Sequence, residues 1–349
     1  MSLGEVRWGI LGCGAVTEVK SGPALQRVEG SRVVAVMRRS GDLAADYARR
    51  HGVPRWYDDA EQLIADPEVN AVYIATPPGS HLEYALLACA YQKPVYVEKP
   101  MARHHAECTR MVEAFATAKV PLFVAYYRRA LPRFLKAREL LADGALGRIT
   151  GVGCCFSGAY HADAGGVPLP WRLRAEESGG GLFLDLGSHT LDILDFLLGP
   201  LENVSGAAAN VASPHDLEDN VVMQFRVAAG ALGTARWNFA ASTRADEILI
   251  EGEDGALRMA TFGEDPIELC RASSTDRFAI AHPVHIQGPM IATVVADLRG
   301  VGRCESTGVS GARTQAVMDA VLDGYYGGRD RAFWSSVTTW PGRRERKRI

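Results

Sequence analysis

Glu98, Lys99 and Pro100 directly follow the apolar, strand-like run Val95-Tyr96-Val97. Charged side chains are costly to bury unless they are paired or used. Ligands of open α/β sheets lie just beyond the carboxyl ends of the strands, so a lysine at this point can face a cofactor and a substrate together. An ordinary surface turn with a Glu–Lys ion pair is the alternative, and the tripeptide alone does not separate the two.

Asp185 and His189 form a second candidate catalytic group, four residues apart on a predicted helix. This spacing puts both side chains on one face of the helix. A carboxylate near a histidine raises the histidine pKa and orients the ring for proton transfer. Such pairs are also common on ordinary helices. The upstream run Gly179-Gly180-Gly181 favours a site, because glycine lets backbone or ligand approach closely.

The run Gly12-Cys13-Gly14-Ala15-Val16 lies between the predicted strand Val6–Leu11 and a predicted helix. Its glycines permit a tight turn and the close approach of a pyrophosphate, and the helix N-terminus offers N–H groups to that anion. The strand–turn–helix context therefore predicts a dinucleotide site. Thr17 stands where the third small residue of the pattern is usual, so we expect looser packing of helix on strand.

Arg38, Arg39 and Ser40 follow the next predicted strand. A site selective for NAD usually has an acidic residue here, which binds the ribose 2′-hydroxyl. The first acid after this strand is Asp42. The two arginines and the serine hydroxyl suit a 2′-phosphate instead. We therefore expect NADP to be preferred and NAD to be possible, with solvated surface arginines as the alternative.

The loop Ala75–His81 follows the predicted strand Ala71–Ala75. Its prolines stiffen it, and it lies at the same carboxyl edge as the other groups. Thr76 and Pro77 are therefore candidate cofactor contacts. His81 has two roles that the sequence leaves open: contact with the ribose or diphosphate, or bracing of the following helix.

Short apolar segments alternate with helix-like segments over residues 1–125, which predicts a doubly wound parallel sheet and a nucleotide-binding domain. After residue 126 consecutive strand-like segments predict an α+β domain with a mostly antiparallel sheet over 126–326. The predicted strands of the first domain are Val6–Leu11, Arg32–Met37, Ala71–Ala75 and Pro94–Val97, and the predicted helices of the second lie near 132–142, 185–198, 288–299 and 311–326.

Residues 327–349 are predicted to be a basic C-terminal tail. Trp334 and Trp340 precede a run of five basic residues and one glutamate, residues 343–348. The charge run favours a solvated, partly disordered end. An arm that packs on a partner subunit is the alternative.

The composition disfavours several classes of protein. The 349 residues are 47% hydrophobic and carry a formal net charge of −3, whereas nucleic-acid binders usually have a basic face. No run of about 18 apolar residues occurs, so no membrane-spanning helix is expected, and residues 1–5 lack a signal-peptide pattern. Seven scattered cysteines without a CxxC pair predict reduced thiols. We expect a cytoplasmic protein with a small-molecule substrate.

Several of these motifs occur together, in an order that resembles the Gfo/Idh/MocA family (glucose-fructose oxidoreductase, inositol dehydrogenase and rhizopine catabolism). The resemblance spans about residues 5–325. It implies an N-terminal Rossmann domain, a C-terminal α/β domain with an open, mainly antiparallel sheet, and NAD(P)-dependent oxidation or reduction of sugars, polyols and related carbonyls. It also implies a homodimer or homotetramer formed through the open sheet face. The motifs are Gly12-x-Gly14, Ala75–His81, Glu98-Lys99-Pro100, Trp171-Arg172 and Gly179–His189.

The resemblance also implies roles for single residues. Lys99 would orient substrate and cofactor, and Asp185 and His189 would belong to the catalytic set, with His189 as proton donor or acceptor. Glu98 would shape the nicotinamide site. Substrate specificity should come from loop 158–178 and the second sheet. The implied substrate contacts are Trp171 and Arg172 in that loop, and Tyr127 and Arg128 just past the domain crossover.

Two other functions are open at this point. A regulatory protein that responds to a dinucleotide or a sugar would keep the fold without the chemistry, but it would not need Lys99, Asp185 and His189 together. A metal enzyme would use His282 and His285, or the adjacent residues 104 and 105. No acidic or cysteine residue is spaced to complete such a site, so no metal is expected.

Overall fold

The computed structural model describes residues 2–160 and 169–343. The chain forms two compact units. The first contains Met1–Ala102, Glu107–Leu131 and Pro283–Ala312, and the second contains Arg103–Ala106, Pro132–His282 and Arg313–Ile349. The domain boundaries predicted at residues 125 and 326 stay a prediction. Most of the predicted loop 158–170 and the last six residues of the predicted tail lie outside the described residues.

A six-stranded parallel sheet forms the centre of the first unit, with the strand order β3-β2-β1-β4-β5-β6. This is the order of the dinucleotide-binding doubly wound fold, in which the ligand crevice lies between the first and fourth strands. The central strands are buried on both faces, as parallel strands usually are. The strands are β1 (Val6–Leu11), β2 (Ser31–Met37), β3 (Arg55–Tyr57), β4 (Ala71–Ile74), β5 (Val95–Val97) and β6 (Leu122–Val124).

An eight-stranded sheet forms the second unit, with the order β14-β13-β12-β11-β7-β10-β9-β8. Its neighbouring strands are antiparallel, except for the parallel pair β7 and β10. The strands are β7 (Ile149–Ala159), β8 (Glu202–Ala209), β9 (Asn220–Arg226), β10 (Leu232–Asn238), β11 (Ala240–Gly252), β12 (Ala256–Met259), β13 (Ile267–Arg271) and β14 (Ser274–Phe278).

One face of this second sheet is covered and the other is open. Along β9, Val221, Met223 and Phe225 are buried, whereas the alternate residues Val222 and Gln224 are exposed. Side chains of a strand alternate between the two faces, so the pattern assigns one face to the core of the unit. Antiparallel sheets commonly have one such face in contact with solvent.

The helices surround the two sheets. Helix α4 begins at a side-chain cap, because Asp59 Oδ1 accepts the Gln62 N–H at 2.9 Å. Helix α3 ends at Gly52, whose φ of 65° favours glycine. The helices are α1 (Ala15–Val19), α2 (Gly22–Arg27), α3 (Gly41–His51), α4 (Ala60–Ala65), α5 (His81–Ala90), α6 (His105–Ala118), α7 (Pro132–Ala142), α8 (Ala175–Ser178), α9 (Ser188–Leu198), α10 (Gly288–Leu298) and α11 (Gly308–Tyr326). Within the described ranges, none is long and apolar enough to span a membrane.

The predicted fold class is confirmed, since a parallel doubly wound sheet is followed by a mostly antiparallel one. The predicted helix 185–198 differs in its first turn. Residues Phe183–Gly187 form a π turn, in which the Ser188 N–H contacts the Phe183 carbonyl five residues earlier, and the α-helix begins only at Ser188. Gly187 allows this turn because a Cβ there would collide with the Phe183 ring.

The prediction of a solvated tail is wrong for its described part. Phe333 and Trp340 are both buried, and residues Phe333–Thr339 form a 3-10 segment. The two rings pack on Tyr326, at the end of α11, with centroid distances of 4.8 and 4.6 Å. The basic run dominates the local sequence pattern, but the burial of this segment depends on aromatic residues that precede it.

Candidate active site

The two glycines of the turn after β1 are needed for different reasons. Gly12 has a φ of 87°, and a Cβ there would lie 2.7 Å from Thr76 Cγ2. Its N–H and that of Cys13 donate to the Met37 carbonyl at 2.9 and 3.2 Å. Gly14 is extended, and a Cβ there would meet only the Gly12 carbonyl oxygen, at 3.9 Å. Gly12 is therefore needed by the fold, whereas Gly14 leaves open space for a ligand at the start of α1.

Thr17 fits the turn closely, so the expectation of looser packing is wrong. Its side chain is fully buried, and its hydroxyl donates to the Gly14 carbonyl at 2.8 Å. Its own carbonyl accepts the Tyr47 hydroxyl at 3.0 Å, which joins α1 to α3. Burial raises the pKa of the neighbouring Cys13 thiol to about 11, so Cys13 stays a neutral thiol near neutral pH. The turn can therefore contact a dinucleotide through its backbone groups, and Cys13 does not supply a nucleophile.

Arg38, Arg39 and Ser40 lie at the carboxyl end of β2, and all three are exposed. The Arg38 N–H donates to the Tyr57 carbonyl at 3.2 Å, which fixes the backbone here. Within the described residues neither guanidinium forms an ion pair. Ser40 precedes α3 as its N-cap residue. Two solvated guanidinium groups at this edge can bind a phosphate by charge-assisted hydrogen bonds.

His81 is buried against the backbone at the start of α5. Its Nε2 faces the Thr76 carbonyl at 2.7 Å, and its Nδ1 faces the Met101 carbonyl at 3.2 Å. Burial lowers the pKa of the imidazole. The Ser80 hydroxyl donates to Thr76 Oγ1 at 2.8 Å. These contacts favour the bracing role for His81, because its ring has no exposed surface for a ribose, and they fix the Thr76–Pro77 loop from behind.

Glu98 is 8% exposed, and its carboxylate accepts three hydrogen bonds. Oε1 accepts the Tyr73 hydroxyl at 2.6 Å and the Gln287 amide at 2.8 Å, while Oε2 accepts the Lys99 N–H at 3.2 Å. Burial raises the pKa of Tyr73 well above its usual value, so this hydroxyl remains a donor. The carboxylate thus fixes the end of β5, from which the half-buried Lys99 side chain projects. The Lys99–Pro100 peptide bond is cis.

Asp185 and Arg172 meet in the second unit. Asp185 lies in the π turn, and its Oδ2 accepts the Arg172 Nε–H at 3.0 Å. The Arg172 guanidinium also lies 4.3 Å from the ring centroid of Trp171. The predicted catalytic carboxylate and the predicted substrate loop are therefore joined by an ion pair. The roles assigned to these three residues stay predictions.

His189 lies in the first turn of α9 and is 4% exposed. Its ring meets the Phe262 ring edge to face, with centroids 5.6 Å apart at 89°. Asp246 fixes the Phe262 loop, because its carboxylate accepts the N–H groups of Thr261, Phe262 and Gly263 at 2.8, 2.7 and 2.9 Å. Asp246 and Phe262 were missed from the sequence, where an acid within a strand carries no site signal.

Lys99 and the Asp185–His189 group belong to different units, and their convergence on one substrate stays a prediction. Tyr127 and Arg128 are buried in a 3-10 turn of the first unit, Tyr127–Ala130, with the guanidinium 5.3 Å from the tyrosine ring centroid. Their role in substrate binding also stays a prediction. In the described part of the chain, no three His, Cys, Asp or Glu residues are grouped to hold a metal ion.

Glu218 is a further buried acid that the sequence analysis missed. Both of its carboxylate oxygens accept the Gly181 N–H, at 2.9 and 3.0 Å, and its side chain also accepts the Tyr326 hydroxyl. A Cβ on Gly181 would lie 2.5 Å from the Glu218 carbonyl oxygen. The last glycine of the run 179–181 is therefore required by close packing just upstream of Asp185.

Comparison with known proteins identifies the class of this protein. Residues 6–126 match the oxidoreductase family with an NAD-binding Rossmann fold, and residues 134–258 match the Gfo/Idh/MocA C-terminal domain. The two matched segments carry the glycine turn, Lys99, Asp185 and His189. The class is therefore a nicotinamide-dependent oxidoreductase. The chain belongs to the Gfo/Idh/MocA family, which confirms the resemblance and the predicted enzyme class.

Individual relatives cover most of the chain. An oxidoreductase of Formosa agariphila is 39% identical over 294 residues, covering 83% of this chain and 90% of that protein. The 1,5-anhydro-D-fructose reductase of Ensifer adhaerens is 28% identical over 327 residues, with 90% and 95% covered. The structure of the WlbA dehydrogenase of Bordetella pertussis, in complex with NADH and UDP-GlcNAcA, is similar with a TM-score of 0.76. It is 26% identical, with 91% and 95% covered.

Alanine at the first glycine of the turn should mainly lower stability, whereas alanine at the second should mainly weaken cofactor binding. Gly12→Ala should lower the free energy of unfolding by about 2 kcal/mol or more, because it adds both a disfavoured φ and a clash. Gly14→Ala should change it by less than about 1 kcal/mol, yet raise the Kd of NADPH about tenfold or more by filling the space that a pyrophosphate needs. Urea unfolding and fluorescence titration measure the two quantities. Wild-type NADPH binding by Gly14→Ala would contradict this assignment.

Proposed function

We propose that this protein transfers a hydride between a nicotinamide dinucleotide, preferably NADP, and a sugar, polyol or related carbonyl compound. The observation that carries the proposal is the position of Lys99 directly after β5, where the buried carboxylate of Glu98 accepts its N–H. Ligands of such sheets bind at the carboxyl ends of the strands. An ammonium group held there suits a reaction in which negative charge develops on an oxygen.

In the direction of oxidation, the ring of His189 accepts the proton of the substrate hydroxyl. The ammonium of Lys99 stabilises the charge on the oxygen as the carbonyl forms. A bound nicotinamide supplies the acceptor for the hydride that leaves the same carbon. In reduction, His189 or Lys99 returns the proton. The ion pair with Asp185 holds the Arg172 guanidinium in place.

The catalytic assignment predicts separate effects on turnover and binding. His189→Ala and Lys99→Met should each lower kcat about 10²- to 10⁴-fold, because each removes general acid–base or electrostatic help. The Kd of NADPH should stay within about threefold of wild type for His189→Ala, since His189 lies in the unit without the dinucleotide turn. Stopped-flow hydride transfer and fluorescence titration measure these quantities. Normal turnover in both variants would favour the regulatory alternative.

The preference for NADP is supported by the two exposed arginines at the end of β2 and by the lack of an acid between the end of this strand and Asp42. A carboxylate at this position accepts the ribose hydroxyls of NAD and repels a 2′-phosphate. Arg38 and Arg39 instead favour the 2′-phosphate of NADP, because both guanidinium groups can donate to phosphate oxygens. Ser40 adds a hydroxyl at the same strand end.

Removing the two arginines together should change cofactor selectivity. Arg38→Ala with Arg39→Ala should raise the Kd of NADPH about 10- to 100-fold, because charge-assisted hydrogen bonds to the 2′-phosphate are lost. The Kd of NADH should change by less than about threefold. Arg49→Ala is the matched control, since Arg49 is an exposed arginine on the neighbouring helix α3. Equal weakening of NADPH and NADH in the double variant would remove the preference for NADP.

The sugar class of the substrate is supported by relatives. The reductase from Ensifer adhaerens is named for 1,5-anhydro-D-fructose, and the dehydrogenase from Bordetella pertussis was solved with UDP-GlcNAcA. The Trp171–Arg172 loop adds an aromatic surface and a guanidinium, groups that suit the apolar face and the hydroxyls of a sugar ring. A turnover screen of anhydro sugars, keto sugars and inositols with NADP and with NAD would identify the substrate.

We infer a homodimer or homotetramer formed through the open face of the second sheet. That face carries a cavity of about 700 Å³ whose lining includes Cys155, Val222, Gln224, Arg236 and Glu247. Val222 is 47% exposed at this face. A broad apolar and polar sheet face of this kind is typical of a surface between subunits. The cysteines are free thiols, which agrees with a cytoplasmic location.

The oligomer can be tested at a single exposed valine. Val222→Arg should shift the molar mass in solution toward the monomer, because it buries an unpaired charge in the subunit contact. Val19→Arg is the matched control, because Val19 is also exposed but lies in α1 of the first unit and is not part of this sheet. Multi-angle light scattering measures the mass. A wild-type mass in Val222→Arg, or the same loss in the control, would contradict the proposed surface.

A further inference from the structure

The residues Gly327–Gly342 form a closed loop after α11, here called the C-terminal loop. Its last residue returns to the end of α11, where the Gly342 N–H donates to the Tyr325 carbonyl at 3.0 Å. Inside it, the Trp340 indole N–H donates to the Phe333 carbonyl at 2.9 Å. Both aromatic side chains are buried. The loop is thus a packed part of the second unit, although it lies between α11 and the basic run of residues 343–348.

The aromatic side chains of the C-terminal loop enclose Tyr326. Trp340 meets its ring edge to face at 4.6 Å, and Phe333 packs on it at 4.8 Å. The guanidinium of Arg329 lies 4.5 Å from the Phe333 ring centroid and 5.0 Å from that of Tyr326. Tyr326 is buried, and its burial raises the pKa of its hydroxyl well above the usual value. The hydroxyl therefore remains a hydrogen-bond donor in a dry environment.

The acceptor for this hydroxyl is Glu218, which has no exposed surface. A buried carboxylate is tolerated only when donors surround it, and burial raises the pKa of Glu218. Its other donor is the Gly181 N–H, at 2.9 and 3.0 Å from the two oxygens. The chain of contacts runs from Trp340 and Phe333 through Tyr326 and Glu218 to Gly181.

Gly181 lies just upstream of the segment that carries the candidate catalytic side chains. The π turn with Asp185 begins two residues later, and His189 follows in α9. A shift of Gly181 is transmitted directly along this backbone, since Gly181 also accepts the Leu184 N–H at 3.2 Å. The hydrogen bonds from the Gly181 N–H to Glu218 therefore anchor the backbone just upstream of the π turn.

The C-terminal loop also holds a second segment. Arg329 donates from Nη2 to the Arg103 carbonyl at 2.7 Å and from Nε to Asp319 at 2.9 Å. Asp319 in turn accepts the His105 N–H at 2.6 Å, at the start of α6. Arg103 follows Lys99 by four residues in the chain. The C-terminal loop therefore contacts the backbone at Arg103 directly through Arg329, and the backbone at Gly181 indirectly through Tyr326 and Glu218.

We propose that the C-terminal loop is a positioning element for the active site, which holds the Asp185–His189 segment through Tyr326, Glu218 and Gly181. The inference rests on the proposed function, because it assumes that His189 acts in catalysis. Its residues do not touch the reacting atoms. They fix the backbone from which the reacting groups project, and small displacements of such groups are costly in rate.

The sharpest test removes one hydroxyl. Tyr326→Phe keeps the ring and its aromatic contacts but deprives Glu218 of a donor. We expect kcat to fall about 10- to 100-fold, as a displacement on the order of 1 Å would cause, with the Kd of NADPH unchanged within about threefold. Tyr91→Phe is the matched control, because the Tyr91 hydroxyl also donates to a glutamate, Glu61, but on the surface of the first unit. It should leave both constants unchanged.

A second pair of variants acts on the loop itself. Trp340→Ala should lower kcat in the same way, and Trp340→Phe should restore most of it because an aromatic ring again covers Tyr326. A chain shortened to end at Arg343 keeps every contact described above and should behave as wild type. All rates are measured well below each variant's unfolding temperature, with circular dichroism to confirm the native fold.

The outcomes separate this inference from the proposed function. If Tyr326→Phe and Trp340→Ala lower the unfolding temperature but leave kcat unchanged, the loop is only a stabilising element and the inference is wrong. If His189→Ala turns over normally, the proposed function fails whatever the loop variants do. Loss of kcat in His189→Ala and in Tyr326→Phe, without loss of NADPH binding, supports both.

Discussion

A buried carboxylate at the end of β5 is the constraint on which the dinucleotide edge of this protein depends. The Glu98 side chain is almost inaccessible, and it is stable there only because Tyr73, Gln287 and the Lys99 N–H all donate to it. Tyr73 comes from the neighbouring strand β4, and Gln287 lies 189 residues later in the chain. Three separate segments therefore meet at one charge, and the backbone that presents Lys99 is fixed by all of them.

The second unit also contains a buried carboxylate that is stabilised by hydrogen-bond donors. Glu218 is buried without solvent contact, and the donors that make its burial tolerable are the Gly181 N–H and the Tyr326 hydroxyl. In each unit, a buried carboxylate binds the backbone near a residue that we expect to do chemistry. The backbone near the candidate catalytic side chains is therefore held by buried hydrogen bonds.

The parts of the fold that were predicted correctly are those with a local pattern. Apolar runs separated by helical segments indicated the parallel sheet, and the order of glycines and charged motifs indicated the family. The parts that were missed depend on distant partners. Thr17 is an example, since its packing is set by Tyr47 on another helix. The π turn before His189 is another, because it depends on the space that Gly187 leaves for the Phe183 ring. The C-terminal loop was expected in solvent because the basic run that follows it, residues 343–348, dominates the composition of this end of the chain.

The sequence by itself determined the fold class, the position of the dinucleotide turn and the identity of the charged residues at the strand ends. These follow from periodicity and from the conformational demands of single residues, which are local properties. Only the tertiary structure decided which acids are buried anchors and which groups remain exposed. Glu98 and Glu218 are anchors, whereas Arg38 and Arg39 face solvent. The physical reason is that the burial of a charge depends on donors supplied from far along the chain, and no local pattern encodes those partners.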